Sequence, residues 1–290
     1  MKFLKQIIDK LGYVSDEVLF GLFSQLSNTL KDTESKKHYR YVDLPTEKKI
    51  IHSKLPERFN HSRYIGQSEN QYNIPLCTCA AADAILKYHY NKKIQDGGDY
   101  PAYWYDFSQM LLYFKWCKIK DGIPNLSGTY PNIMLKGITK KFGMGMAYDF
   151  WWPMAKKLED IGIPVDGWKY AQYFHITDYW KINGLNFDEI RDALQFGPIA
   201  MSLKTTSSFF NSKGVVNLLS FRDKTFGLHE VIITDCDTSK KETGKIAFQI
   251  YNSWGDDWGD GGKAWVTFDY IKEMHGDIHA VRCLGDSDEL

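Results

Sequence analysis

The chain has 290 residues, enough for one large or two smaller domains with an independent hydrophobic core. Its 36 basic residues balance 36 acidic ones, and it has no basic stripe interleaved with aromatic residues, so we expect no binding to nucleic acid. No run approaches the roughly 18 consecutive apolar residues of a membrane-spanning helix, so we expect no membrane span.

Two amphipathic helices are predicted at the N-terminus. The first carries apolar residues at helical spacing, and the second begins after the N-cap residue Ser15 and continues to Leu30. The charged stretch Lys31 to Arg40 follows and is typical of a linker. We therefore expect a helical extension with its linker at 1–45 and the main domain at 46–290. The extension is either a regulatory or partner-docking segment, or it packs on the main domain.

The stretch Gln71 to Cys79 marks the start of the central helix. Pro75 is tolerated just before a helix, and the run Ala80 to Lys87 is made of good helix formers, so the helix is predicted to begin between Leu76 and Thr78 and to reach about Asn91. Cys77 then lies in the first turn, where unpaired backbone N–H groups and the helix dipole lower the pKa of a thiol. Such a thiolate is a nucleophile.

A mainly helical region is predicted as far as residue 195, and β-strands are predicted beyond it. Helices are expected at 108–118, at 133–143 and at 186–195, the last with Asn186 as its N-cap. Beyond Gly197, residues 199–203, 215–219, 229–235, 246–252, 264–268 and 278–284 are predicted strands. The fold class is therefore α+β, with a helical lobe at about 70–180 and a β-rich lobe at about 181–285.

Two features further along the chain add candidate site residues to Cys77. His229 lies at the start of the predicted strand Gly227 to Ile233, and the string Asn252-Ser253-Trp254-Gly255 continues to Trp258-Gly259. Gln71 precedes Cys77 by six residues. In this order and spacing, the residues resemble a papain-like, or cathepsin-like, cysteine peptidase.

The resemblance covers about residues 55 to 285 and implies both a fold and a site. It includes Leu55-Pro56, Trp152-Pro153-Met154 and Gly197-Pro198. The implied fold is a papain-like two-lobe structure, in which a helical lobe carries the cysteine and a barrel-like β-rich lobe carries the histidine and asparagine. The implied catalytic residues are Cys77 as nucleophile, His229 as general base and acid, Asn252 as the group that orients the imidazole, and Gln71 as the oxyanion-hole amide; Trp254 resembles the indole that shields the His–Asn bond.

The resemblance implies a thiol protease, a hydrolase that cleaves peptide or protein substrates and requires no metal or cofactor. Its covalent intermediate is a thioester formed by a thiolate–imidazolium pair. Two alternatives remain at this point. The chain is an inactive papain-like structural or docking protein, or an acyl-transferring relative that passes the acyl group to an amine.

The segment around the nucleophile departs from the family pattern. The family signature has a glycine just before the cysteine, whereas this chain has Pro75-Leu76, and a second cysteine follows at Cys79. The spacing from Gln71 favours Cys77, and so does the apolar stripe Ala81, Ile85 and Tyr88 on its face of the helix.

His89 lies ten residues after Cys79. With Cys77 and Cys79 it matches no common zinc spacing, so a surface histidine is predicted.

The cysteines and termini predict an intracellular, cytoplasmic protein. Five cysteines, an odd number without paired spacing, are typical of a reducing compartment. Lys2, Lys5 and Asp9 interrupt the first apolar positions, unlike a signal peptide. We therefore interpret the terminal Ser287-Asp288-Glu289-Leu290, which resembles a retrieval signal of the endoplasmic reticulum, as a chance match.

Overall fold

The computed structural model describes residues 55–72, 74–96, 107, 109–113, 117, 120, 128–139, 174–216 and 223–283. The predicted N-terminal helices and linker, the Trp152-Pro153-Met154 segment and the terminal Ser287-Asp288-Glu289-Leu290 lie outside these residues. Within the described part, no helix is both long and apolar enough to cross a membrane.

The helical lobe is organised around one long helix, α1 (Cys77–Asp96). Two shorter helices follow, α2 (Gln109–Leu112) and α3 (Pro131–Gly137), and a 3-10 helix, His61–Tyr64, precedes α1. The predicted start of α1 is confirmed, but the helix extends five residues beyond the predicted end at Asn91.

The first thirteen residues of α1, Cys77 to His89, are all buried. Small alanine side chains allow neighbouring elements to approach the helix from every side, so its burial is not limited to one stripe. The predicted stripe Ala81, Ile85 and Tyr88 is buried, and so are Cys79 and Asp83 on the other side of the helix. The prediction of a surface histidine at position 89 is wrong, because His89 packs beside Tyr88 and against Gly197.

The β-rich lobe contains a seven-stranded sheet. Its strands are β1 (Asp178–Lys181), β2 (Ile199–Thr206), β3 (Val215–Val216), β4 (Thr225–Asp237), β5 (Ala247–Tyr251), β6 (Lys263–Thr267) and β7 (His275–Arg282). They are arranged in the order β1-β7-β2-β4-β5-β6-β3, and every neighbouring pair is antiparallel except β3 with β6. The sheet brings β4 and β5 together at its centre.

Three short helices accompany the sheet. They are α4 (Phe187–Ala193), α5 (Ser207–Phe210) and α6 (Phe268–Met274). The predicted cap of α4 is confirmed, since Asn186 Oδ1 accepts hydrogen bonds from the backbone N–H groups of Asp188 and Glu189 at 3.1 and 3.3 Å. In contrast, β1, α5 and α6 were not predicted from the sequence.

The sheet separates two hydrophobic cores. On one face, Ala200, Ile232 and Val281 pack with α1 and the helical lobe. On the other face, alternate residues such as Met201, Val231 and Ile233 pack with α4, α5 and α6. On the first of these faces, α1 packs directly against β4, the strand that contains His229.

Residues 55–72, which we call the strap, join the sheet to the start of α1. Near its beginning, the backbone N–H of Phe59 donates to Asp235 Oδ1 at 2.7 Å, and the Arg58 guanidinium pairs with the same carboxylate. Further along, His61 Nε2 donates to the Leu194 carbonyl at 2.7 Å. The strap is therefore held to the β-rich lobe by polar contacts along its length.

Candidate active site

Cys77 is the first residue of α1. The helical hydrogen bonds begin at the carbonyl of Leu76, which accepts from the backbone N–H groups of Cys79 and Ala80 at 2.9 and 3.0 Å. Pro75 precedes this turn, and its ring fixes the backbone just before the helix. The Cys77 thiol is thus positioned at the end of the helix that favours negative charge.

Cys79 has a different environment, although it is only two residues away. Its Sγ lies 3.8 Å from the Sγ of Cys117, and both side chains are completely buried in the core of the helical lobe. Cys77, by comparison, is not part of that core cluster. The contact between Cys79 and Cys117 distinguishes the environments of Cys77 and Cys79 more clearly than the sequence does.

His229 and Asn252 are in direct contact. His229 lies in β4, Asn252 follows the end of β5, and His229 Nε2 lies 2.6 Å from Asn252 Oδ1. The same oxygen accepts a hydrogen bond from the backbone N–H of Ser253 at 2.8 Å, so the atom facing the imidazole is an acceptor. Nε2 therefore donates the proton, and this fixes the tautomer of the imidazole, with Nδ1 as the ring nitrogen that can accept a proton.

Aromatic rings cover the His229–Asn252 hydrogen bond. The ring of Trp254 lies 4.6 Å from that of His229, and Phe210 stacks on the indole at 4.7 Å. Phe209 packs edge-on against Trp254 at 5.4 Å. His229 and Asn252 are consequently almost inaccessible to water, in surroundings where a hydrogen bond is electrostatically stronger.

Gln71 is attached to the same loop through Ser253. Its backbone N–H donates to the Ser253 carbonyl at 2.9 Å, and its Oε1 accepts from Ser253 Oγ at 2.6 Å. Its Nε2 donates to the Ile74 carbonyl at 2.8 Å, across the turn that leads to Cys77. The carboxamide is therefore oriented by two hydrogen bonds, one at its oxygen and one at its nitrogen, and the nitrogen is directed to the Ile74 carbonyl.

Glycines in the Asn252-to-Gly262 loop allow it to lie close to the strap. Gly262 has a φ of +77°, and a Cβ atom there would lie 2.0 Å from the Cβ of Ser68. The hydroxyl of Ser68 in turn donates to the Asn252 carbonyl at 2.7 Å. Ser68 and Ser253 support the site but were not identified from the sequence; only the position of Ser253 inside the Asn-Ser-Trp string could have indicated it.

A buried polar network, also missed by the sequence analysis, lies between the lobes behind the site. Lys87 of α1 pairs with Glu69 of the strap and with Asp83 at 3.1 Å, and Gln109 donates to both carboxylates. Glu69, Asp83 and Gln109 line a small cavity, and Tyr251 lines it with them. Burial raises the pKa of its hydroxyl, which therefore remains protonated and donates to the Gln67 carbonyl at 2.5 Å.

The structure thus brings His229 and Asn252 into direct contact and attaches Gln71 to the residue that follows Asn252. It places Cys77 at the start of the helix that packs on the strand of His229.

Comparisons with known proteins identify a family and solved structures to which the chain is similar. The family model of the papain family cysteine proteases matches residues 159–279, a segment that contains His229 and Asn252. A search of curated proteins gave no match.

Among solved structures, the fold is similar to that of xylellain, a cysteine protease from Xylella fastidiosa, with a TM-score of 0.73 and 19% identity over 90% of this chain and 97% of that one. It is also similar to procathepsin B S9 from Trypanosoma congolense, with a TM-score of 0.64 and 15% identity over 91% and 88% of the two chains. The bromelain protease from Ananas comosus gives a TM-score of 0.58 and 19% identity over 79% and 100%. The predicted papain-like α+β fold and the resemblance to papain-like cysteine peptidases are confirmed.

Proposed function

We propose that this papain-like cysteine peptidase hydrolyses peptide bonds with Cys77 as nucleophile and His229 as general base and acid. The observation that carries the proposal is the 2.6 Å contact of His229 Nε2 with Asn252 Oδ1 beneath Trp254. It leaves Nδ1 as the nitrogen that takes the proton of the thiol. Cys77 is assigned as the thiol that uses this base, because it begins the helix packed on the same strand and, unlike Cys79, does not belong to the helical-lobe core cluster.

The chemistry follows from the properties of these groups. Transfer of the thiol proton to His229 gives a thiolate–imidazolium pair, and the thiolate sulfur attacks the carbonyl carbon of the scissile peptide bond. The tetrahedral intermediate collapses as the C–N bond breaks, and His229 gives its proton to the leaving amine. Water, deprotonated by His229, then attacks the thioester and releases the acid and the free thiol.

Gln71 is assigned to the oxyanion that forms during both attacks. Its Oε1 is occupied by the Ser253 hydroxyl, so the nitrogen end of the carboxamide faces away from Ser253 and towards the turn before Cys77. Nε2 carries two hydrogens, one directed to Ile74 and one that can donate to a substrate oxygen. Together with the backbone N–H of Cys77, it forms a pair of donors of the kind that stabilises a tetrahedral intermediate.

The missing glycine before the nucleophile does not contradict this assignment. The side chain of Leu76 is buried in the core of the helical lobe, so it is directed away from the surface where a substrate would lie. Leu76 also provides the first carbonyl acceptor of α1.

The test compares two matched variants, Cys77→Ala and Cys79→Ala, in a peptide-library hydrolysis assay. We expect the first to lose hydrolysis and labelling by iodoacetamide, and the second to keep most of both, with circular dichroism showing that both are folded. Labelling and activity that disappear with Cys79 instead would contradict the assignment of the nucleophile. A wild-type protein that labels at Cys77 but cleaves no peptide would favour the inactive docking protein.

A further inference from the structure

Tyr72 combines an unfavourable backbone conformation with an exposed ring. Its φ is +50°, in the left-handed region that glycine, asparagine and aspartate adopt more readily than aromatic residues. Its side chain is 53% exposed, so burial of the ring does not compensate for the strain. Residues kept in such conformations cluster at functional sites.

The conformation of Tyr72 is imposed by the contacts on both sides of it. Its backbone N–H donates to Asn70 Oδ1 at 2.8 Å, and Asn70 forms a β-bridge with Trp254. On the other side, the backbone N–H of Ile74 donates to the Gln71 carbonyl at 3.2 Å and closes the turn that contains Tyr72. The backbone at Tyr72 therefore cannot relax without disturbing the bonds of Asn70 and Gln71.

Tyr72 lies next to the proposed oxyanion hole. Tyr72 follows Gln71 directly, so their Cα atoms are about 3.8 Å apart. An extended peptide advances about 3.3 Å per residue. A peptide whose scissile carbonyl reaches the Gln71 amide therefore passes Tyr72 within one or two residues of the bond that is cleaved.

We infer that Tyr72 is a specificity-determining residue whose ring packs against an apolar or aromatic side chain of the substrate, within two residues of the scissile bond. This inference rests on the proposed peptidase function. An exposed aromatic ring offers a large, rigid contact surface with few rotatable bonds, and such rings are frequent at positions that bind other molecules. The strain at Tyr72 is then the cost of presenting this ring beside the oxyanion hole.

Two substitutions at Tyr72 distinguish the effect of the aromatic ring from the effect of the backbone strain. Tyr72→Asn removes the ring and introduces a residue that tolerates a positive φ, whereas Tyr72→Phe keeps both the ring and the strain. Lys240 offers a matched control, because it also has a positive φ, +65°, but lies in the exposed loop between β4 and β5. Lys240→Asn relieves comparable strain far from the site.

The affinity of selected peptides is measured on the Cys77→Ala background, so that the readout does not need catalysis. Tyr72→Asn should weaken the binding of peptides with an apolar or aromatic side chain near the scissile bond by about tenfold. Tyr72→Phe and Lys240→Asn should change it by less than twofold. Tyr72→Asn and Lys240→Asn should each raise the melting temperature by about 2 to 4 °C, which a purely structural tyrosine would not allow.

The two hypotheses fail in different ways. Unchanged peptide affinity in Tyr72→Asn, or a loss of stability together with affinity, would overturn the inference about Tyr72. Peptides that bind but are not hydrolysed by the wild-type protein would contradict the proposed function alone. If no peptide in the library binds, both are overturned.

Discussion

The histidine side and the cysteine side of the proposed site are held by different kinds of contact. His229 lies in the thirteen-residue strand β4, at the centre of the sheet, and its hydrogen bond to Asn252 is covered by Trp254 and Phe209. The cysteine side depends on the strap and on the turn after Gln71, where Tyr64 and Ile65 pack in the core but Ser68 and Gln71 are attached to the loop after β5 by individual polar bonds. It also contains the strained residue Tyr72.

This difference indicates which half of the site tolerates change. On the histidine side, the sheet ladder and the aromatic core fix the imidazole even if one polar partner is lost. On the cysteine side, each polar bond fixes a separate part of the loop, so removal of one bond changes the position of the groups that follow it.

The largest effect is expected at His229. His229→Ala removes the only group assigned to carry protons and should lower kcat by about 10⁴-fold or more. Asn252→Ala should cost about 10- to 10²-fold, because packing against Trp254 still orients the ring. Steady-state kinetics on variants shown to be folded will measure both; equal losses would mean that the aromatic cover does not position the imidazole.

The protein is expected to lose stability as the pH falls, because His61 bonds the strap to the Leu194 carbonyl. Burial lowers the pKa of His61 from its ordinary 6.5 to about 4. Below pH 6.5 the unfolded chain therefore binds a proton at His61 that the folded chain does not bind until about pH 4. The stability that the neutral, buried imidazole provides is complete above pH 6.5 and decreases by about 3 kcal/mol as the pH falls to 4.

The matched variant is His61→Gln, which keeps an N–H donor for Leu194 but cannot titrate in this range. Urea unfolding at pH 7.5, 5.5 and 4.0 should show a smaller pH dependence in the variant than in the wild type. Parallel stability curves for the two proteins would show that His61 does not fasten the strap in its neutral form.

The features that were predicted correctly from the sequence are marked by residues within or next to the element itself. Pro75 and the alanine run located the start of α1, Asn186 located the start of α4, and alternating residues located the central strands. The polar run Thr238 to Lys245 is a typical turn signal, and it lies between the antiparallel strands β4 and β5.

The features that were missed depend on distant partners. β1 has only four residues and pairs with β7, which lies about a hundred residues further along the chain. Phe268 to Met274 is rich in aromatic and apolar residues that are also common in strands, although Thr267 caps it as a helix. Likewise, no sequence pattern shows that Ser68 bonds to the backbone of Asn252 or that Cys79 contacts Cys117.

On the cysteine side, loss of the Gln71 carboxamide should have the next largest effect. Gln71→Ala removes one of two oxyanion donors and should lower kcat by about 10²-fold, with a smaller change in KM. Gln71→Glu is a useful companion, because it keeps the size of the side chain but replaces the donor with an acceptor. If Gln71→Glu retained wild-type kcat, Gln71 would not be an oxyanion donor.

Ser253 should have a smaller but measurable influence, because it orients Gln71 without contacting the substrate. Ser253→Ala removes the 2.6 Å bond to Gln71 Oε1 and should lower kcat by about tenfold. Ser62→Ala is the control, because its 3.4 Å contact with Gln249 also joins the strap to the sheet but lies away from the site. A tenfold loss in Ser62→Ala as well would indicate that general loosening of the strap, and not the orientation of Gln71, limits activity.

The smallest effect on activity is expected at Cys79, only two residues from the proposed nucleophile. Its contact with Cys117 lies inside the helical-lobe core, so Cys79→Ala and Cys117→Ala should each destabilise the fold by about 1 kcal/mol while kcat/KM stays within twofold of the wild-type value. Because the two sulfur atoms touch, the double variant should lose less stability than the sum of the single losses, by about 0.5 kcal/mol. Urea unfolding of the four proteins measures this coupling. A Cys79→Ala protein of normal stability but strongly reduced activity would contradict this prediction. Cys79 would then belong to the active site and not to the hydrophobic core of the helical lobe.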